Sequence, residues 1–154
     1  MNPLYNLLPV SLLTMISFIV LLIFAALGFY AYPSADDFCM ASGVQQEGLL
    51  GHLWNHYFEW SGRYSGNALY AIYPLLFGLF SGNKIMPLIL LLLLFFSCAY
   101  LLSRLFDIDM RSRRLWLIAL CYVAVFVLGI RHSASSLYWL AGAMTYQSAN
   151  ILLL

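Results

Sequence analysis

Charge is what this chain has least of. Lysine and arginine together number 7 of 154 residues, and aspartate and glutamate 6. The charged fraction is 8%, against about 25% in an ordinary soluble domain. So few charges exclude a water-soluble globular surface. A net charge of +1 with no basic stripe also excludes a nucleic-acid footprint, which needs cations to neutralise phosphates. Cysteine is scarce too. Cys39, Cys98 and Cys121 show no paired spacing, and the last two lie inside apolar runs, where cysteine acts as a small hydrophobe. A disulfide framework and a cysteine metal site are both excluded on that count. No lysine or arginine precedes the first apolar run, and residues 12–32 outrun the roughly 7–15 residues of a cleavable signal core. The segment reads as a retained signal-anchor helix.

What is present is hydrocarbon. Hydrophobic residues make up 64% of the chain, aromatic residues 17%, and the mean hydropathy is +0.88. A bilayer span needs about 20 apolar residues. Four stretches qualify: about 8–32, 85–102, 115–130 and 137–154. Lys84 and Arg104 bracket the second, Arg114 and Arg131 the third. The fourth is still apolar at Leu154, so the expected protein is longer, with further C-terminal spans. The expected fold class is all-α: a polytopic transmembrane helical protein with amphipathic interfacial helices in its first external loop.

Charge placement orients it. Residues 103–114 hold Arg104, Arg111, Arg113 and Arg114 against Asp107 and Asp109, which marks this loop as cytoplasmic. The N-terminus is then cytoplasmic and residues 33–84 form one external loop, provided that 64–80 does not span. Loop charge alone leaves that proviso open. Gly66, Asn67, Pro74 and Gly78 favour an interfacial or re-entrant segment. Within the loop, residues 48–60 read GLLGHLWNHYFEW. Leu49, Leu50, Leu53, Trp54, Tyr57 and Trp60 recur at helical spacing, with His52, Asn55, His56 and Glu59 on the opposite arc. That pattern predicts a helix lying on the membrane with its aromatics at headgroup depth.

The most informative residues are Ser34-Ala35-Asp36-Asp37-Phe38, placed where the uncharged run 16–32 should leave the bilayer. The ordinary role of such a pair is to cap a helix N-terminus. Adjacent acids at a membrane face are costly, and there a carboxylate can act as general base or hold a divalent cation. Successive side chains point apart, so one acid is expected to be chemical and the other structural. His52, His56 and Glu59 have the i, i+4, i+7 spacing of a zinc site, or simply form the wet face of an amphipathic helix. Arg63 suits bidentate phosphate binding, or snorkels to headgroups, and Arg131 invites the same two readings. Residues 136–146 carry Tyr138, Trp139 and Tyr146 around Gly142. They read as an aromatic belt with small packing residues, or as a wall for a sugar ring.

Together, Ala35-Asp36-Asp37-Phe38 after the first span, Trp60-Ser61-Gly62-Arg63-Tyr64 and Tyr138-Trp139-Leu140-Ala141-Gly142 resemble polytopic bacterial glycosyltransferases of the GT-C type. The likeness is to a subfamily of membrane proteins grouped with surface-polysaccharide genes. It implies a bacterial inner-membrane enzyme moving a sugar from a polyprenyl-phosphate donor to a surface glycan or lipid acceptor. Asp36 or Asp37 would be base or metal ligand, Arg63 and Arg131 would hold the donor phosphate, and Tyr138, Trp139 and Tyr146 would form the sugar or acceptor wall. No cofactor is required beyond a divalent cation, if one is used. The truncated chain would be inactive alone. The alternatives are a transporter or flippase fragment and a non-catalytic membrane assembly subunit. Transport acids belong near the midplane within broken helices, and no acid lies inside any of the four apolar stretches.

Overall fold

The structure, a computed structural model, describes residues 4–154, with side chains from Val10 onward. It is all-helical, with no strand among the described residues. Helix α1 (Leu4–Leu27) continues into a single 3-10 turn at Gly28–Tyr30. Helix α2 is Ala35–Glu59, α3 is Tyr64–Phe77, α4 is Leu79–Phe106 and α5 is Arg113–Gly129. Two short helices end the chain, α6 (Leu140–Gly142) and α7 (Ser148–Leu153), joined through wide π turns at Ala134–Tyr138 and Ala143–Gln147.

Among the described residues, two stretches are long and apolar enough to cross a membrane, Val10–Tyr30 and Leu79–Phe106, with mean hydropathies of 2.8 and 2.6. Helix α5 is shorter. Its 17 residues rise about 26 Å, just under a ~30 Å hydrocarbon core. Helix α3 is shorter still: 14 residues, or about 21 Å, stopped at Gly78 with φ +73°. The structure redraws two sequence expectations. The helix expected from residue 48 is preceded by one the sequence reading did not expect, which starts at Ala35 because Ser34 caps it: the Asp37 carboxylate accepts the Ser34 backbone N–H at 2.7 Å. Residues 137–154 are not one continuous helix either. Trp139 has extended backbone (φ −89°, ψ 117°), and each flank winds into a π turn.

Packing divides the molecule into two regions. Helices α1, α4 and α5 pack together as an apolar stem. Its interior holds Leu91, Leu94, Cys98, Val123 and Val127, continued by Ala99, Leu102, Leu115 and Ala119 toward the arginine loop. The cap is built from α2, α3 and the terminal segment, resting on the first half of α4. Met40, Val44, Tyr70, Ala71, Tyr73, Met86, Leu90, Leu140, Ala143 and Met144 form its core.

Helix α2 is two arms. Gly48, with φ +72° and ψ 162°, breaks it, and a residue with a Cβ is strained there. The second arm comes back on the first, so that the His52 imidazole occupies the space where a side chain at position 43 would stand. Gly43 is the residue that permits this approach. The polarity of the second arm is the reverse of a water-soluble surface helix. His52 and His56 turn inward, while Leu50, Trp54, Phe58 and Trp60 are 81%, 67%, 64% and 83% exposed.

Candidate functional site

The turned-in polar face of α2 opens onto a cavity of about 680 Å³. The start of α2 supplies Asp36, Cys39 and Met40, and its second arm supplies His52, Asn55, His56 and Glu59. Arg63, Asn67 and Tyr70 come from the beginning of α3, and Trp139, Gly142, Thr145 and Tyr146 from the terminal segment. Of the residues singled out in the sequence, this one space gathers Asp36, His52, His56, Glu59, Arg63, Trp139 and Tyr146. Three others lie elsewhere. Arg131 is exposed outside the cavity lining. Tyr138 points into the stem, where its hydroxyl donates to the Phe24 carbonyl at 2.8 Å. Asp37 is fully buried behind Asp36.

The two adjacent acids sit in unlike surroundings. Asp36 is exposed to the cavity. Asp37 accepts from the Ser34 N–H at 2.7 Å, from the Ser34 hydroxyl at 3.2 Å and from the Tyr70 hydroxyl at 2.7 Å. That set of donors joins the N-terminus of α2 to α3. Tyr70 is held protonated: burial, then its hydrogen bond to Asp37, then the charges of Asp37 and Asp36 push its pKa well above the ordinary phenol value.

Glu47 organises the hinge of α2. One oxygen, Oε2, lies 3.3 Å from His52 Nδ1 and accepts from Asn55 Nδ2 at 3.3 Å. His52 stacks on His56, with ring centroids 5.6 Å apart and planes at 27°. Burial, followed by the neighbouring His52, lowers the His56 pKa below 6.5. His52, His56 and Glu59 share the cavity without converging as metal ligands. No group of three His, Cys, Asp or Glu side chains among the described residues does so. On the opposite wall, Arg63 Nη1 donates to the Tyr146 hydroxyl at 3.3 Å, with its guanidinium carbon 5.6 Å from the ring centroid. The Tyr146 ring therefore props the guanidinium by hydrogen bond and cation–π contact.

Two ring nitrogens of residues around the cavity, His52 Nε2 and Trp139 Nε1, are closed off from solvent with no hydrogen-bond partner. The cavity is also narrowed by design of the backbone. A Cβ on Gly142 would collide with the Ser135 carbonyl and touch the Trp139 ring, so the terminal segment closes only around glycine. Sequence reasoning missed Glu47 and Tyr70, and placed Asn55 on the polar face without a role. Glu47 and His52 sit on either side of Gly48, where helical spacing carries no information. Tyr70 is 33 residues from Asp37. Among known proteins, no family model, no curated sequence and no solved structure matches this chain.

Proposed function

We propose that this chain belongs to a polytopic bacterial inner-membrane glycosyltransferase of the GT-C type, moving a sugar from a polyprenyl-phosphate donor to a surface glycan or lipid acceptor. The observation that carries the reading is one cavity that holds a free carboxylate, a propped guanidinium and two aromatic rings beside an apolar stem. In this reading the outward aromatics of α2 lie at headgroup depth, and the cavity faces the membrane surface where a lipid-linked donor presents its phosphate and sugar. Arg63 holds the phosphate, as its planar fork allows. Asp36, exposed in the cavity, is the general base that takes the acceptor hydroxyl's proton, or the ligand of a divalent cation. Asp37 keeps Asp36 in place by tying α2 to α3. Trp139 and Tyr146 supply the walls. The N-terminus is cytoplasmic, with Arg111, Arg113 and Arg114 on the same side.

The placement of the acids disfavours a transporter. Asp36, Glu47 and Glu59 all belong to α2, whereas α1, α4 and α5 contain no carboxylate. The test is transfer of a labelled sugar from a polyprenyl-phosphate donor, in membranes containing the full-length protein and normalised to its abundance. Asp36→Asn should lower transfer about 10²–10⁴-fold, the loss typical of a removed general base, at unchanged abundance. Arg63→Lys should fall between Asp36→Asn and the parent, because lysine keeps the charge and loses the fork. Full transfer by Asp36→Asn would refute this site.

A further inference from the structure

We propose that the turn closing α4 binds the headgroup of a phospholipid that carries a primary ammonium, of the phosphatidylethanolamine class. The site lies outside the transfer cavity and does not depend on the transfer reading; it needs only α4 to span the membrane. The 28 residues of α4 rise about 42 Å, more than a ~30 Å hydrocarbon core, so its last turn reaches headgroup depth. There a cleft of about 550 Å³ is lined by Ser103, Arg104, Asp107, Ile108 and Asp109. Its charges are of both signs and do not neutralise one another. Among the described residues, neither Arg104 nor either aspartate is in an ion pair. Three apart on one helix, Arg104 and Asp107 would be neighbours able to pair. Asp107 instead ends α4 in left-handed backbone (φ 52°, ψ 41°), off the helical track. The turn is held in that shape. The Ser103 hydroxyl donates to the Ile108 carbonyl at 2.7 Å, and the Ser103 carbonyl accepts the Ile108 N–H at 3.1 Å. Asp109 accepts the Arg111 backbone N–H at 2.9 Å, and the Trp116 ring N–H donates to the Met110 carbonyl at 2.9 Å.

The charge pattern selects the ligand. An anion alone would meet two carboxylates and the negative carbonyl end of α4. A bare cation would meet Arg104, and no three His, Cys, Asp or Glu side chains among the described residues converge as metal ligands. A headgroup with one phosphate and one ammonium satisfies both signs. The phosphate matches the planar guanidinium fork of Arg104, and the ammonium donates charge-assisted hydrogen bonds to Asp107 and Asp109. A primary ammonium has three N–H donors for this, as lysine does, whereas a trimethylated one has none. Leu105 and Phe106 stand between Arg104 and Asp107 in the chain and are each 66% exposed. They carry apolar surface up to the cleft, which favours a ligand with acyl chains over a soluble phosphate.

The test is lipid binding to the full-length protein in detergent, read by native mass spectrometry with phospholipids of identical acyl chains. Phosphatidylethanolamine should bind about tenfold more tightly than phosphatidylcholine, the scale of one hydrogen bond to a charged group. The mono- and dimethylated forms should fall in order between them. Asp107→Asn combined with Asp109→Asn should erase the preference, and asparagine tolerates left-handed backbone, so the turn persists. Arg104→Gln should weaken the ethanolamine and choline lipids alike, because both present the phosphate. Equal binding of those two lipids by the unaltered chain would overturn the proposal without any variant having to fold. A preference for phosphatidylglycerol would overturn it as well, leaving a general anionic-lipid surface in its place. So would an ethanolamine preference that survives the double aspartate variant, which would put the ammonium elsewhere. Displacement of the lipid by glycerophosphoethanolamine, which has no acyl chains, would make the ligand a soluble one and overturn the lipid site.

Discussion

The stem and the cap bury different things. In the stem, what is buried is almost wholly apolar: Leu94, Cys98, Ala99, Leu115, Ala119, Val123 and Val127 are all closed off from the surface. In the cap, burial includes Asp37, Asn67 and Gln147, and the helices are interrupted at Gly48 and Gly78. Apolar contacts are non-directional, so the stem needs only volume and the right period. Buried polar groups need partners at set distances, so the cap needs particular residues in particular places. Chemistry collects where the backbone is irregular, because only there do groups distant in sequence meet around an open space.

That contrast can be broken or sharpened by substitution. The largest stability effect should come from the stem: Leu94→Ala should cost about 2–5 kcal/mol through the cavity it leaves. Its transfer activity per folded molecule should nonetheless stay at the parent level, as thermal melts and abundance-normalised assays would show. An activity loss without a melting shift would mean that the stem takes part in the chemistry. Asp37→Asn comes next. Removing the carboxylate unsettles the hydrogen bonds of Ser34 and Tyr70, at about 1–3 kcal/mol. It should destabilise more than Asp36→Asn, whose cost is catalytic, and chemical denaturation of the two variants side by side would measure the difference.

Gly48→Ala should cost about 1 kcal/mol or somewhat more, because alanine is strained at a positive φ. Its effect should be local, loosening the contact of His52 with Gly43, and hydrogen exchange confined to α2 would report it. A stem that loosened equally would show that the two regions unfold as one. The smallest effect should be on pH. His56 binds its proton less readily when folded than when unfolded, so its contribution to stability is present above about pH 6.5 and declines as pH falls below it. Melts at about pH 7.5 and about pH 5.5 should therefore differ less in His56→Gln than in the parent. An unchanged difference would leave His56 outside the acid response.

Much of this was legible along the chain. Uncharged runs announce α1 and α4, since a helix apolar on all sides needs no partner to be recognised. The alternation of His52, Asn55, His56 and Glu59 with Leu49, Leu53 and Trp54 announces the second arm of α2, because helical period is a local property. The first arm was less visible. Its helix depends on Ser34 and Asp37 acting as a cap, and the same two residues fit a turn equally well. The broken course of residues 137–154 was hidden as well, because the sequence there is apolar throughout and the break at Trp139 is imposed by packing around Gly142.

The sequence by itself determined the all-helical class, the apolar runs long enough to cross a membrane, and the residue types from which a site could be made. Those follow from composition and short-range period, which every window of the chain carries. Only the tertiary structure decided which of two adjacent aspartates faces open space and which is tied to Tyr70. It alone set Arg63 on Tyr146 across 83 residues, turned His52 toward Glu47 rather than Glu59, and took Tyr138 and Arg131 out of the cavity. The physical reason is reach. Hydrophobic period speaks for residues within one or two helical turns, while a site depends on where a chain bends back, and here that rests on Gly48, Gly43 and Gly142 and on what packs against them.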